Sequence, residues 1–213
     1  MARRYIQSPQ GQAAREVIAW ELFDTKTYIN GGGTLMFFLT PNQTSPLTSN
    51  MHASGQLPTP HRLDVYGMAV EIFPGFAQSY AYGIKKLWVS EKKKIRELCW
   101  LEFYVGDKPY LIQPLIEIPE GVGCTGLTSG ADESTGAVDE LCMVNGIQDV
   151  KHKYDLWVPI KGEKDPIEIP EQQGFKVLLQ WDANAPNLSD TGQSDLTVYI
   201  RVILIGYLWR EVQ

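Results

Sequence analysis

The sequence has few cysteines and no long apolar run. Its three cysteines, Cys99, Cys124 and Cys142, form an odd set without CxxC spacing, which argues against a disulfide framework and against a structural zinc site. No apolar stretch reaches the roughly 18 residues that a membrane-spanning helix needs, and the N-terminal segment lacks the apolar core of a signal peptide. We therefore expect reduced thiols in a soluble protein that is made in a cytoplasm.

Residue patterns typical of catalytic and metal sites are also missing. The three histidines, His52, His61 and His152, are scattered and form no HxH or HExxH motif. There is no GxSxG nucleophile motif and no recognisable Cys/His protease context. The sequence thus predicts no catalytic, cofactor-binding or metal-binding residue, and we expect a protein that is not an enzyme and carries no cofactor.

Composition and charge indicate one folded domain that does not bind nucleic acid as its main function. Hydrophobic residues make up 44% of the 213 residues and charged residues 21%, which is close to the average of folded domains. A chain of this length can bury one sizeable core, so we expect a single domain over residues 1–213. The net charge of −6 is unfavourable for binding phosphate backbones.

Short runs of apolar and β-branched residues dominate the chain, separated by clusters of Gly, Pro, Asn, Asp and Ser. This pattern is typical of an all-β sandwich or barrel, here with about eight antiparallel strands. The clearest predicted strands are Gly33–Leu39, Arg62–Phe73, Ile95–Val105, Lys108–Ile118, Tyr154–Ile160, Gly174–Trp181 and Leu196–Trp209. Weaker strand signals lie at Val17–Phe23 and Leu87–Ser90.

In the last predicted strand, apolar residues occupy both the odd and the even positions, and therefore both faces of the strand. In the run LTVYIRVILIGYLW, Arg201 is the one charged residue before the final Arg-Glu pair. Such a strand is covered on both faces, or its outer face meets another subunit.

Helix signals are sparse: the clearest lies in the N-terminal region, and a weaker one lies at Phe76–Lys86. Ser8 and Pro9 are favourable at a helix start, which predicts a helix over Gln10–Ala19 and makes residues 1–16 an N-terminal arm or short helix. The glycines Gly31–Gly33 predict a turn leading into the next strand.

Two polar segments predict surface features. Residues 119–153 are rich in Gly and Ser and read as a long inserted loop, which in a compact domain serves contacts or is disordered. The basic run Lys92–Lys94 with Arg96 indicates an exposed hairpin or a charged guard beside an apolar strand. The alternative for the basic run is a surface that faces a genome or anionic lipid.

Aromatic residues are more abundant than a small core requires, with six tryptophans and ten tyrosines. Interface cores are enriched in aromatic residues and Met, so this composition favours self-association. A lectin-like cleft with stacked aromatic rings is the alternative.

Four phrases, in their order along the chain, resemble segments of one known protein family. They are SNMHASGQLPTPHRLDVYGMAVEI, WLEFYVGDKPYLIQPLIEIPEGVGCTG, DPIEIPEQQGFKVLLQWD and LTVYIRVILIGYLWREVQ. Each resembles a turn-and-strand segment of the single, vertical jelly-roll major capsid proteins of tailless icosahedral bacteriophages. The phrases cover about two thirds of the chain, and the region before Thr48 matches only loosely.

The resemblance implies a jelly-roll β-sandwich with at most one or two short helices and two four-stranded sheets packed face to face. Its strands would stand roughly normal to the shell. Candidate core residues on this arrangement are Phe37, Leu39, Trp100, Leu178 and Ile203.

The resemblance also implies a function in assembly. It makes the chain a viral structural protein, a virion coat subunit that is made in the host cytoplasm and self-assembles into an icosahedral capsid. Its partners would be further copies of itself in capsomers. A second coat protein or penton protein and the lipid of an internal membrane are further candidates, with no specific nucleic acid. The alternative is a jelly-roll carbohydrate-binding module.

Overall fold

A computed structural model describes residues 4–6, 15–41, 48–74, 89–119, 127–128, 142–143, 154–160, 163–187 and 197–211. The strands are β1 (Arg4–Ile6), β2 (Arg15–Thr27), β3 (Thr34–Phe37), β4 (Arg62–Pro74), β5 (Cys99–Val105), β6 (Lys108–Pro114), β7 (Leu127–Thr128), β8 (Cys142–Met143), β9 (Tyr154–Asp155), β10 (Trp157–Ile160), β11 (Glu163–Ile169), β12 (Phe175–Trp181) and β13 (Val198–Glu211). Helix α1 spans Val89–Glu97, and a single 3-10 turn spans Leu115–Glu117.

Eleven of these strands form two antiparallel sheets, and eight of the eleven follow the jelly-roll order. The larger sheet runs β1-β2-β13-β4-β11-β10, with β9 paired to β4, and the smaller sheet runs β3-β12-β5-β6. Counting the eight long strands along the chain, the larger sheet holds the first, eighth, third and sixth, and the smaller sheet holds the second, seventh, fourth and fifth. This is the double Greek-key arrangement of a jelly roll, and it confirms the predicted all-β sandwich.

The C-terminal strand β13 is the centre of the larger sheet. It pairs with β2 from Tyr199↔Thr27 to Glu211↔Arg15, and with β4 from Val198↔Pro74 to Trp209↔Arg62. The register with β4 shifts between Ile205 and Gly206. A Cβ atom on Gly206 would lie 2.0 Å from the carbonyl oxygen of Asp64, so only glycine fits this bulge.

The core lies between the two sheets and follows strand alternation. In β13 the residues at even numbers from Val198 to Leu208 are buried, and in β5 the residues at odd numbers from Cys99 to Val105 are buried. Successive side chains on a strand point to opposite faces, so these sets face each other across the sandwich. Phe37 is fully buried, as predicted.

Of the other four predicted core residues, three are exposed or partly exposed, whereas Leu178 is buried. Leu39 and Trp100 are 37% and 38% exposed. Trp100 shares a face with Glu102, which points away from the core. Leu178 is buried but lies outside the core cluster, opposite Met36 and Glu102. Ile203 is partly exposed on the outer face of β13.

The N-terminal helix prediction is wrong where the structure describes it. Arg15–Ala19 belongs to strand β2, and Arg4–Ile6 pairs with Arg15–Val17 as strand β1. Pairing with β13 over the whole length of β2 overrides a weak local helix preference. The remaining residues of the 1–16 segment lie outside the described residues.

Two strand predictions around the basic run are also corrected. Ser90 lies in helix α1, so the strand over Leu87–Ser90 is wrong where it is described, and the strand expected from Ile95 begins only at Cys99. Lys93 in this helix forms an i,i+4 ion pair of 3.5 Å with Glu97, which supports helical structure.

Arg96 is the buried member of the basic run, so it does not face a genome or lipid. Its guanidinium donates hydrogen bonds to the carbonyl oxygens of Val70 and Leu115, at 3.3 and 3.1 Å, and to that of Ile118. The helix is thereby tied to the larger sheet and to the 3-10 turn. The exposed hairpin predicted for this run is a helix.

The glycine turn and the segment 119–153 were both predicted as connections between strands. The predicted turn at Gly31–Gly33 is confirmed, because all three residues have positive φ angles and β3 follows directly. Within the segment 119–153, Leu127–Thr128 pairs with Cys142–Met143. The remainder of that segment after residue 119 lies outside the described residues.

A buried carboxylate links the two sheets at one end. Asp24 of β2 accepts a hydrogen bond of 2.8 Å from the backbone N–H of Phe38, whose φ of 67° is rare for a bulky residue. Its other oxygen accepts one of 3.1 Å from the N–H of Thr25. Burial raises the pKa of Asp24, against the effect of these donors and of Lys26 at 3.6 Å. The contact holds the chain where it leaves β3.

We expect Gly206→Ala to destabilise the protein by about 2 kcal/mol or more, since a methyl group at this bulge must displace the β4 backbone. Gly174→Ala is the matched control, because a Cβ there meets only an ordinary contact of 3.9 Å. Urea unfolding measures both free energies. Equal unfolding midpoints for the two variants would contradict the close approach at Gly206.

Candidate functional site

The outer surface of the smaller sheet is the most exposed apolar part of the described chain. We call it the smaller-sheet face. Its residues are Met36, Trp100, Glu102, Tyr104, Ile112, Lys176, Leu178 and Gln180. Ile112 is 60% exposed and Met36 is 49% exposed. Three of the eight strongly exposed large hydrophobic residues, Met36, Trp100 and Ile112, lie on this face, a clustering that marks an interaction surface.

The apolar residues form a row across the sheet. Met36 pairs with Leu178, Leu178 with Glu102, and Glu102 with Ile112. Neighbouring strands lie about 4.8 Å apart, so these side chains are in direct cross-strand contact range. The row therefore exposes two apolar side chains, those of Met36 and Ile112, on either side of the buried Leu178 and the carboxylate of Glu102.

Glu102 is held rigidly by three neighbouring donors. Its Oε1 accepts hydrogen bonds from the indole N–H of Trp100 at 3.2 Å and from the side-chain amide of Gln180 at 3.1 Å. Its Oε2 accepts one from the hydroxyl of Tyr104 at 2.7 Å. This network fixes the rotamers of three surface side chains, so binding a partner would cost little additional side-chain entropy.

A lysine lies beside this network. The ammonium of Lys176 lies 5.2 Å from the ring centroid of Tyr104. The pKa of Tyr104 is raised by the hydrogen bond that its hydroxyl donates to the negatively charged Glu102. The face therefore carries one acidic and one basic group on either side of a single tyrosine. Both signs of charge within an apolar surface can provide orientation to a partner.

The outer face of the larger sheet is also aromatic, but its groups are largely occupied by each other. Arg201 lies 5.1 Å from the ring centroids of both Phe23 and Phe73 and pairs with Glu71 at 3.5 Å. Among the described hydrophobic residues on that face, Tyr207 alone is strongly exposed, at 47%. The two outer faces thus differ, and the smaller-sheet face is the better candidate for a contact.

Further along the outer face of the larger sheet, the carboxylate of Asp64 also has hydrogen-bond partners within the chain. Its carboxylate accepts hydrogen bonds from Arg62 at 3.0 and 3.1 Å and from the indole of Trp209 at 2.6 Å. The Arg62 guanidinium stacks 4.9 Å from the Trp209 ring. These contacts fasten the end of β13 to β4.

A cavity of about 100 Å³ opens at one end of the sandwich. Its lining includes the side chains of Trp20, His52, His61 and Arg210. Typical sites for small organic ligands occupy at least roughly 300 Å³, so this cavity has room for only a small group. Burial lowers the pKa of His61, and the nearby charges of Arg210 and His52 lower it further.

The residues singled out by the sequence do not meet at one site. Cys99 is a buried free thiol whose pKa is raised by burial, and His52 and His61 share the cavity. The positions of Cys124 and His152 lie outside the described residues. Within the described ranges, no group of three or more His, Cys, Asp or Glu side chains is arranged to hold a metal ion. No described helix has the length and apolar character to cross a membrane.

Sequence reasoning missed the residues of the smaller-sheet face, although a signal was present. Glu102 has the same parity as Trp100 in the strand CWLEFYV. A charged residue at the middle of one parity assigns that parity to the outside, which places Trp100 outside and Leu101 inside.

Comparisons of the chain with models of protein families, with curated proteins and with solved structures found no match.

We expect the cavity histidine to make the protein less stable in acid. Because the pKa of His61 is lower in the folded protein than in the unfolded chain, its contribution to stability is present above the unfolded value of about 6.5 and is lost as the pH falls through the folded one. The melting temperature should therefore fall less between neutral pH and about pH 5 for His61→Gln than for the wild type. His52→Gln is the control and should keep most of the drop. An unchanged acid sensitivity in His61→Gln would contradict this assignment.

Proposed function

We propose that the chain is a viral coat subunit that self-assembles into an icosahedral shell. The observation that carries the proposal is a jelly-roll sandwich whose smaller sheet presents an exposed apolar face. A monomer exposes such a cluster of large hydrophobic residues to water at a cost, whereas a shell subunit buries it in repeated lateral contacts.

The four phrases that resemble phage coat proteins add support through their positions. One leads from the bridge between Asp24 and Ser49 into β4. The second spans β5, the turn at Gly106 and β6, the third spans β11 and β12, and the last covers β13. The resemblance thus involves strands of both sheets in their chain order, as expected if it reflects one common architecture.

The proposal gives the chain a structural role in the virion and no reaction. Its partners are further copies of the chain, with a second coat protein, a penton protein or the lipid of an internal membrane as additional candidates. Rigid surface side chains suit this role, because a subunit whose contact residues are already ordered loses little entropy on assembly.

One observation favours a second candidate, a carbohydrate-binding module. Trp100 is 38% exposed beside the carboxylate of Glu102 and the amide of Gln180. An aromatic ring next to polar groups in fixed positions can stack on a sugar ring and bind its hydroxyls. A panel of mono- and oligosaccharides titrated against tryptophan fluorescence, with Trp100→Phe as the control, tests this alternative.

We expect the purified protein to form uniform rings, arrays or closed shells in negative-stain electron microscopy, with light scattering reporting a mass that rises with protein concentration. Ile112→Asp should abolish these particles while the fold is retained, because it places a charge in the apolar row.

Ile29→Asp is the matched control, since Ile29 is 45% exposed and lies outside the smaller sheet. Circular dichroism checks the fold of both variants. A wild-type protein that stays monomeric at every concentration and salt, together with a saturable sugar-dependent change in Trp100 fluorescence, would replace the coat function by carbohydrate binding.

A further inference from the structure

The smaller-sheet face carries two opposite charges in a self-complementary arrangement. Lys176 pairs in register with Tyr104, and Tyr104 is two residues from Glu102 on β5. The tyrosine separates the two charges: its ring carries the Lys176 ammonium at 5.2 Å, and its hydroxyl donates to Glu102. An acidic and a basic group therefore lie diagonally next to each other within an exposed apolar surface.

Glu102 retains acceptor capacity. An ionised carboxylate has about four lone-pair positions, and the contacts from Trp100, Gln180 and Tyr104 use three of them. The position that remains is on Oε2, on the side of Tyr104. A further donor can approach there without disrupting the network.

The ammonium of Lys176 can donate such a hydrogen bond to another molecule. To donate within its own chain it would have to leave the ring of Tyr104. Within the described residues its ammonium forms no ion pair with a carboxylate, and Tyr104 is its recorded partner. An ammonium has three donors, so a contact above the ring leaves capacity for a carboxylate that arrives from outside.

We infer that the smaller-sheet face binds a second copy of this chain about a two-fold axis that lies in the plane of contact, parallel to the sheet. The axis passes between Glu102 and Lys176, so Glu102 of each copy meets Lys176 of the other. Two-fold contacts are reciprocal by symmetry, and one pair of charges therefore yields two ion pairs. The inference rests on the proposed function, because it defines one lateral contact of the coat subunit.

The same charges exclude the simplest competing geometry. If the axis passed through Glu102 itself, two carboxylates would meet in a surface that loses its water, which is strongly unfavourable. The offset geometry avoids this repulsion and includes the exposed side chains of Met36 and Ile112 in the contact. Charge decides the register, and apolar area provides the attraction.

The expected contact is weak. A sheet of four strands about 4.8 Å apart and seven residues long at about 3.3 Å each covers roughly 450 Å² in plan, and stable interfaces bury about 800 Å² per partner. A single such contact forms reversibly, and a closed shell gains stability from many of them.

Charge reversal tests the contact. In Glu102→Lys each Lys176 meets a lysine, and in Lys176→Glu each Glu102 meets a glutamate. We expect each variant alone to dimerise at least about tenfold more weakly than the wild type in sedimentation velocity experiments. An equimolar mixture of the two variants should dimerise again, because both reciprocal pairs are then of opposite sign.

Matched controls carry the same charge changes elsewhere. Lys93→Glu lies on helix α1, where the side chain is 66% exposed, and Glu21→Lys lies at an exposed position on the larger sheet. Both should dimerise like the wild type. Thermal melting and circular dichroism of the reversed variants confirm that loss of the Glu102 network leaves the fold intact.

The outcomes separate this inference from the proposed function. Assembly that survives both reversals, or a mixture that does not recover, overturns the two-fold contact and leaves a coat function through other contacts. Recovery on mixing supports the contact. A wild-type chain that is monomeric throughout overturns both, and dimers that never grow larger support the contact while contradicting the coat function.

Discussion

The pairing of the C-terminal strand with both of its neighbours is the constraint on which the rest of the structure depends. β13 joins β2 and β4 along almost their whole length, so strands that are far apart in the chain lie side by side in the larger sheet. These contacts are distant in sequence, and a long-range pairing forms only after a large loss of chain entropy. The larger sheet, the inner core and the approach of Gly206 to Asp64 all follow from this strand.

The central position of β13 also explains why the two outer faces differ. On the larger sheet, Arg201 is surrounded by Phe23, Phe73 and Glu71, which arrive from both neighbouring strands. On the smaller sheet, Lys176 contacts the ring of Tyr104 and Glu102 organises only its immediate neighbours, while Met36 and Ile112 remain exposed. One face is therefore internally satisfied and the other is available for a contact, which makes lateral assembly through the smaller sheet the economical interpretation.

Much of the fold could be predicted from the sequence, since alternation and turn residues are local signals. Strands such as β4, β12 and β13 occur close to their predicted positions. Local sequence signals predict a helix over part of β2, because the strand is stabilised by pairing with β13, which lies more than 170 residues away in the chain. Alternation does not predict β11, because Lys164, Asp165 and Pro166 interrupt the apolar pattern. Only the family resemblance indicates a strand there.

The candidate site was harder to predict than the fold. Trp100 and Leu178 are large and apolar, and hydrophobicity alone placed them in the core. The structure shows that both share the parity of Glu102 on the outer side of the smaller sheet, where Trp100 is exposed and Leu178 is nevertheless buried. The exposure of a whole face depends on how strands are paired, and this is a non-local property that one strand's sequence does not contain.

The central claim is that the smaller-sheet face becomes buried when the chain assembles. Hydroxyl-radical footprinting with mass spectrometry measures this directly, by comparing side-chain oxidation in dilute and in concentrated protein. The account predicts that oxidation of Met36 and Trp100 slows strongly on assembly, while the exposed Ile29 reacts as before and the buried Met51 and Met68 stay protected in both samples. Assembled particles in which Met36 and Trp100 react as fast as in the dilute protein would contradict the account.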